Sequence, residues 1–443
     1  MPLDRGLTER YKADFDAVSL SDQGPVWLKE IRQNAISTFI KNGFPVTASG
    51  NERWRFTNIN PIARGEFNFH RGTLLPDISD HNVRNLVPWD DNWETLVFVD
   101  GSYSEILSNT HSSGIQVNNL ADKLQEDGAA IRAHLGKYAS IDEDGFTALN
   151  TSFLYDGAVI EIPENTHYVK PIHLVFISSG TIENAISCPR ILVLVGNRSS
   201  VTLLETYASL SKDQYFTNSV LEISSSRESS IEHFRYTIES PTAFHIGTTR
   251  VKLKENSTFK STSIATGSRI ARNDLNVLMD GIGASCILRG LYLTSGNQHL
   301  DNHINIDHSK ASCSSDQYFK GVLSGQSRAV FSGRVLVRKD AQKTVAHQSD
   351  KNLILSEGAR INTKPSLEIY ADDIQATHGA TAGAVAEDAL FYMRSRGIDE
   401  QMARALLVAG FAGEIVDKIE LGALREHVNR LISNDSETFS ALT

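Results

Sequence analysis

Cysteine is scarce. Cys188, Cys286 and Cys313 are odd in number and widely spaced in a chain of 443 residues, so they make neither a disulfide framework nor a CxxC zinc site. Long apolar runs are also missing. None approaches the roughly 20 residues of a membrane-spanning helix. The N-terminal stretch MPLDRGLTERYKADFD lacks the apolar core of a signal peptide. Basic charge is not in excess: the formal charge of −10 argues against a nucleic-acid partner, which would want a basic face. A GxxxxGK[ST] phosphate loop, a GxGxxG after a strand and a GxSxG elbow are all absent, so nucleotide chemistry within the chain is not expected. These absences point to a protein of the reducing cytoplasm, bound neither to membrane nor to nucleic acid.

What remains is an ordinary globular composition, 40% hydrophobic and 22% charged, arranged in three regions of different periodicity. Residues 1–90 read as helical with loops. Val26, Trp27, Ile31, Ala35, Ile36, Phe39 and Ile40 recur at helical spacing, and Gly43 and Pro45 supply the stop. ERWRFTNINP (52–61) follows as an aromatic and basic loop, in which Trp54 and Phe56 are expected to anchor on a core.

From 91 to 371 the helical signal gives way to short β-branched runs: LVFV (96–99), VIEI (159–162), IHLVFI (172–177), ILVLV (191–195), VTLL (201–204) and SVLEI (219–223). Similar small-residue turns lie near Asn197, Arg227, Asn256, Gly283, Lys310, Gln326 and Gly358. Apart from one short step between Lys310 and Gln326, their period is just under 30 residues. Short strands repeating at such a period predict a solenoid of stacked coils rather than a sandwich, which would be long at this size. Its ends would expose strand edges that must be covered or paired.

Residues 372–443 read as helical again. Asp399 is a suitable N-cap for EQMARALLVAGFAGEIVDKIE. Met402, Leu406, Ala409, Gly413 and Val416 line one stripe, widened by Leu407, Phe411 and Ile415, which suits docking on the solenoid or on a partner groove. A last helix uses Leu421, Leu424, Val428 and Leu431.

Two segments carry candidate chemistry. In HLDNHINIDH (299–308), strand alternation puts His299, Asp301, His303, Asn305 and Asp307 on one face, where they either bind a cation or form a hydrogen-bonded polar surface. In PSLEIYADDIQATHGATAGAVAEDALFYMRSRG (365–397), a strand is expected to stop at Asp372 and Asp373. His378 then sits in a small-residue junction before a helix beginning near Val385. One imidazole makes no metal site, because such sites recruit three or four side chains. Further ligands would have to come from elsewhere.

The segments GRVLVRKDAQKTVAHQSDKNLILS (333–356), KPSLEIYADDIQATHGAT (364–381) and FYMRSRGI (391–398) closely resemble the SufB/SufD family of iron–sulfur cluster assembly proteins. ERWRFTN looks like that family's tryptophan motif. HGATAG (378–383) stands where the SufB branch typically reads HEATTS, so the SufD branch fits better. The resemblance implies a right-handed parallel β-helix between helical ends, serving as a non-catalytic scaffold. It also implies a SufB-like subunit paired through β-helix strands and a SufC-like ABC ATPase docked on the C-terminal helices, for which Phe391, Tyr392, Arg394, Arg396, Gly397 and Phe411 are the candidate contacts. His378 would be an iron or cluster ligand shared with the partner, the cluster being transient and present only in the complex. In isolation, the same edge would be open to a second copy of the chain as a homodimer. Many relatives read KCSHGAT where this chain reads QATHGAT, so Ala376 removes a thiol here. Two other readings stand beside this one: a β-helix carbohydrate-active enzyme using Asp301 and Asp307 as acid and base, and an adaptor without a metal role.

Overall fold

The structure, a computed structural model, describes residues 5–20, 24–45, 51–69, 78–110, 116–126 and 131–440. Residues 1–4, part of the stretch read for a signal peptide, and 441–443 of the C-terminal region lie outside the described residues. The chain forms a parallel β-solenoid of about eight turns, flanked by N- and C-terminal helices. Successive strands alternate between two sheets. The first runs from Gly157–Ile162 through Phe244–Leu253 and His299–His308 to Arg360–Ile369. The second runs from Glu94–Val99 through Ser230–Glu239 and Ser314–Leu323 to Ile374–Gly383. Strands pair residue for residue with those one coil away, as in Ile270–Met279 on His299–His308.

The period is set at one corner. Asn165, Arg198, Glu228, Asn256, Gly283, Ser312 and Lys343 all adopt φ between 48° and 71°. Each donates its N–H to a carbonyl of the next coil, for example Asn256 to Ile282 at 2.9 Å and Ser312 to Gln342 at 2.8 Å. A left-handed residue turns the chain without an extra residue, and glycine, asparagine and small polar residues tolerate that conformation best. The short step in the sequence period is now explained. Gln326 belongs to the opposite corner, where its N–H bonds Gly296 at 2.8 Å, so moving from Lys310 to Gln326 crosses half a coil.

Alternation along each strand sends one set of side chains into the lumen, where Ile160, Leu174, Ile223, Leu253, Leu275, Ile304 and Phe331 form a continuous core. Each such fully buried side chain contributes about 1.5–3 kcal/mol. The outer faces are covered as well. Tyr11, Phe15, Ile36, Phe39 and Phe146, from the N-terminal helices and the helix Gly145–Ser152, pack on Phe216, Phe244 and Ile270 of the first sheet. Val408, Ala412, Ile415, Leu424 and Val428 pack on Leu204, Phe234, Ile264 and Val322 of the second.

Two expectations are corrected, the extent of the solenoid and the buried stripe of one C-terminal helix. The solenoid does not stop at 371, because Ile374–Gly383 pairs along its whole length with Thr344–Leu353, and helix begins only at Glu387. Asp372 and Asp373 make the turn between the last two strands, where the Asp373 carbonyl accepts from Lys343 N–H. The buried stripe of helix Glu400–Val416 is Ala403, Val408, Ala412, Ile415 and Val416, while Met402 and Leu406 are about half exposed. The solenoid selects a face one position round from the stripe that spacing alone favours. Asp399 does cap this helix, accepting from Met402 N–H at 2.9 Å.

Candidate functional site

ERWRFTN and HLDNHINIDH, far apart in sequence, meet on the outer face of the first sheet. Trp54 is 2% exposed, packs in a tilted pair with Phe146 and lies under the Arg272 guanidinium at 4.0 Å. Arg53 bonds Asp274 Oδ2 at 2.9 Å, and Thr57 donates to Asp301 Oδ2 at 2.5 Å. Arg272 in turn bonds both Asp301 and Asp274. Burial pushes the Asp274 carboxyl up, but Arg53, Arg250 and Arg272 outweigh it and hold the group well below the usual carboxylate range. Trp54 therefore anchors its loop as expected, whereas Phe56 remains 38% exposed.

The alternation expected for residues 299–308 is present. Leu300, Ile304 and Ile306 enter the core while the odd-numbered residues face outward. The shared cation does not fit this face. Asp301 is taken by Arg272 and Thr57, Asp307 by Arg338 at 2.6 and 2.9 Å, and Asn305 by Arg334. His299 bonds Thr57 Oγ1 at 3.0 Å. No cluster of three or more candidate metal-binding side chains occurs among the described residues. Nor do Asp301 and Asp307 form an acid–base pair. Six residues along one strand separate them by about 20 Å, far beyond the roughly 5–9.5 Å that glycosidic chemistry uses.

His378 occupies a different environment. It lies in the middle of the last strand of the second sheet, in register with Gln348. Ile374 and Ala376 of the same strand pack inward on Val335, Val337 and Ala346, so alternation turns His378 toward the lumen too. It is nevertheless exposed, because no further coil follows. Both sheets end at this level. Arg360–Ile369 and Ile374–Gly383 are the terminal strands of their sheets, each with one edge unpaired among the described residues. Past His378 the strand carries only small residues, and a Cβ on Gly379 or Gly383 would meet nothing within 4 Å. The end is therefore an open mouth rimmed by main-chain donors and acceptors, with one imidazole above the lumen. Pro365 in the other terminal strand is a sequence signal for this edge, since proline within sheets is confined to edges and bulges.

Just inside the mouth lies a polar layer that strand alternation does not reveal. Gln317, Gln348, Asp350 and Asn352 are buried in the lumen. Tyr292 Oη lies 3.0 Å from Asp350 Oδ1 and 2.5 Å from Asn352 Oδ1. Outside, His347 Nδ1 and Thr377 Oγ1 are 2.8 Å apart, beside a groove of about 500 Å³ between the sheet and the C-terminal helices, lined by Asp316, Tyr318, Glu414 and Lys418 among others.

The remaining candidate contacts lie on the C-terminal helices. Phe391 and Tyr392 are 76% and 60% exposed, and Arg394, Arg396 and Gly397 are exposed beside them. Phe411 is apart from this group: it faces the solenoid, with Lys320 Nζ 4.2 Å from its ring centre and 2.8 Å from its carbonyl oxygen.

A two-sheet parallel solenoid, open at one end and helical on its flanks, is built as a scaffold with an unfinished ladder. Comparison with known proteins gives the class a family. Residues 176–411 match the SUF system FeS cluster assembly SufBD core domain, and residues 6–174 match the SufBD protein N-terminal region. An iron–sulfur cluster assembly SufBD family protein of Synechocystis sp. is 33% identical over 398 residues, covering 86% of each chain. The iron–sulfur cluster assembly protein SufD of Escherichia coli is 27% identical, covering 89% of this chain and 90% of its own. A chloroplastic protein of Arabidopsis thaliana, ABCI7, is 29% identical, covering 94% and 89%. This chain belongs to the SufBD family of iron–sulfur cluster assembly proteins.

Proposed function

We propose that the chain is a non-catalytic SufD-type scaffold whose open solenoid end pairs with a SufB-like subunit. Iron or a nascent cluster, the cargo of the assembly, is held at that junction with His378 as this chain's ligand. The observation that carries this reading is the coincidence of two unpaired parallel strands with an exposed, inward-turned histidine at the same end. Adding a strand to such an edge satisfies main-chain groups that are otherwise left to water, and it would place a partner's side chains opposite His378. On this reading the chain supplies one ligand, His378, to a site shared with its partner. Ala376 leaves no thiol on this strand, so a second ligand belongs to the partner.

The exposed apolar pair Phe391 and Tyr392, with Arg394 and Arg396 beside it and Met402 and Leu406 on the next helix, is the face we assign to a SufC-like ATPase. Hydrolysis belongs to that partner, and we place the assembly in a reducing compartment, in keeping with three free cysteines.

The test is complementation of a strain lacking the endogenous subunit, together with anaerobic reconstitution of the complex followed by its visible absorbance. His378→Ala should abolish most cluster formation while leaving co-purification of the partners intact. Normal assembly by that variant would remove His378 from the ligand set.

A further inference from the structure

A row of amides runs along the inner face of the second sheet and stops one strand short of His378. Gln317, Gln348 and His378 occupy the same register position on three successive strands. Gln348 Nε2 donates to Gln317 Oε1 at 3.2 Å. Both glutamines are buried, at 0% and 3% exposure. Gly333 makes room for this from the opposite sheet, since a Cβ there would lie 2.0 Å from Gln348 Nε2. With its nitrogen so engaged, Gln348 is left with an Oε1 that is buried and accepts no hydrogen bond. A buried acceptor without a donor is destabilising, because its lost hydration is not replaced. The next strand lies about 4.8 Å away toward the open end, and the side chain it presents in register is His378.

We propose that Gln348 is the positioning residue for His378: its Oε1 accepts the N–H of one ring nitrogen and turns the other nitrogen's lone pair out through the mouth. This rests on the reading of His378 as a ligand for the iron cargo. In the structure the imidazole is exposed and not bonded to Gln348, and the proposed contact requires a different side-chain rotamer of His378. The arrangement follows a general requirement. A histidine that binds metal through one nitrogen needs an acceptor for the other, which fixes both tautomer and ring orientation. In a complex, the strand added by the partner would exclude water from the mouth and leave Gln348 as the acceptor facing the ring.

The experiment uses the full chain, labelled with ¹⁵N-histidine and reconstituted with its unlabelled SufB-like partner. Long-range ¹H–¹⁵N spectra of His378 are recorded for wild type, Gln348→Leu and Gln348→Glu at a pH where the ring is neutral. Wild type and Gln348→Glu should each show one tautomer, because both offer an acceptor, and Gln348→Leu should show a mixture. In the reconstituted pair with its SufB-like partner, titration with ferrous iron should give a 10- to 100-fold weaker apparent affinity for Gln348→Leu and near wild-type affinity for Gln348→Glu. An unchanged tautomer ratio in Gln348→Leu, or failure of Gln348→Glu to preserve it, overturns the proposal. His378→Ala run alongside separates the two claims. If it binds iron as wild type does, the ligand reading fails, while the spectra still decide whether Gln348 orients the ring.

Discussion

Asp350 offers a quantitative check on the polar layer behind the mouth. Its carboxylate is fully buried, and burial raises it from 3.8 to about 6, only partly opposed by hydrogen bonds with Asn352 and Tyr292. The local geometry gives the same direction. Tyr292 has one hydroxyl hydrogen but two acceptors in reach, Asp350 Oδ1 and Asn352 Oδ1. A proton on Asp350 resolves the conflict by donating to Tyr292 Oη. An acid whose folded pKa is raised contributes fully below the unfolded value, and that contribution is lost as pH rises through the folded one. The window here is pH 3.8 to about 6. At 1.36 kcal/mol per unit, the ionised group costs about 3 kcal/mol above that window and about half as much at pH 5. Asp350→Asn keeps the shape, supplies a donor toward Tyr292 Oη and carries no charge. It should therefore stabilise the chain by up to about 3 kcal/mol at pH 8, and by roughly half as much at pH 5. At about 2.1 cal/mol/K per residue, a chain that unfolds as one unit would melt about 3 °C higher at pH 8. Because solenoids can unfold piecewise, hydrogen exchange in Thr344–Ile354 should accompany urea titrations at both pH values. A variant no more stable than wild type at pH 8, or equally stabilised at pH 5 and 8, would refute the reasoning.

Two further outcomes follow from the flanks. Glu222 and Arg190 form a fully buried pair, and Glu222 also accepts from the N–H groups of Gly136, Tyr138 and Ala139. Glu222→Ala should cost at least the roughly 3–5 kcal/mol of a broken buried pair and free those three amides to exchange; the paired change Arg190→Met with Glu222→Leu should remain destabilised, because the amides still lack an acceptor. Trp54→Ala should lose about 3–5 kcal/mol, as large buried aromatics do, and loosen the Arg53–Asp274 and Thr57–Asp301 contacts, read as faster proteolysis within 51–69 while the coils stay folded.

The solenoid was legible because its corners demand residues that tolerate a left-handed backbone, so Asn256 and Gly283 recur at a steady spacing. The half-coil step at Gln326 was not, since both corners use the same turn chemistry. The last strand was hidden for a different reason. QATHGATAG is poor strand sequence by composition, and its conformation comes from residue-for-residue pairing with Val345–Leu353 rather than from its own preference. The polar lumen was hidden because alternation is normally read as polar-out. Here Gln348 and Asp350 point inward while His347 points out. The role of Arg53 and Thr57 was equally closed to sequence, since their partners lie more than 200 positions away.

The two ends of the solenoid differ in valence. At the N-terminal end, Ser102–Asn109 and Gln116–Asn119 run antiparallel to the first parallel strands. The parallel ladder therefore has one growing terminus. A repeat body with matching ends would propagate into a filament. This one has a single open terminus, as a monofunctional monomer does, so any chain that paired through the mouth would complete a pair rather than extend a filament.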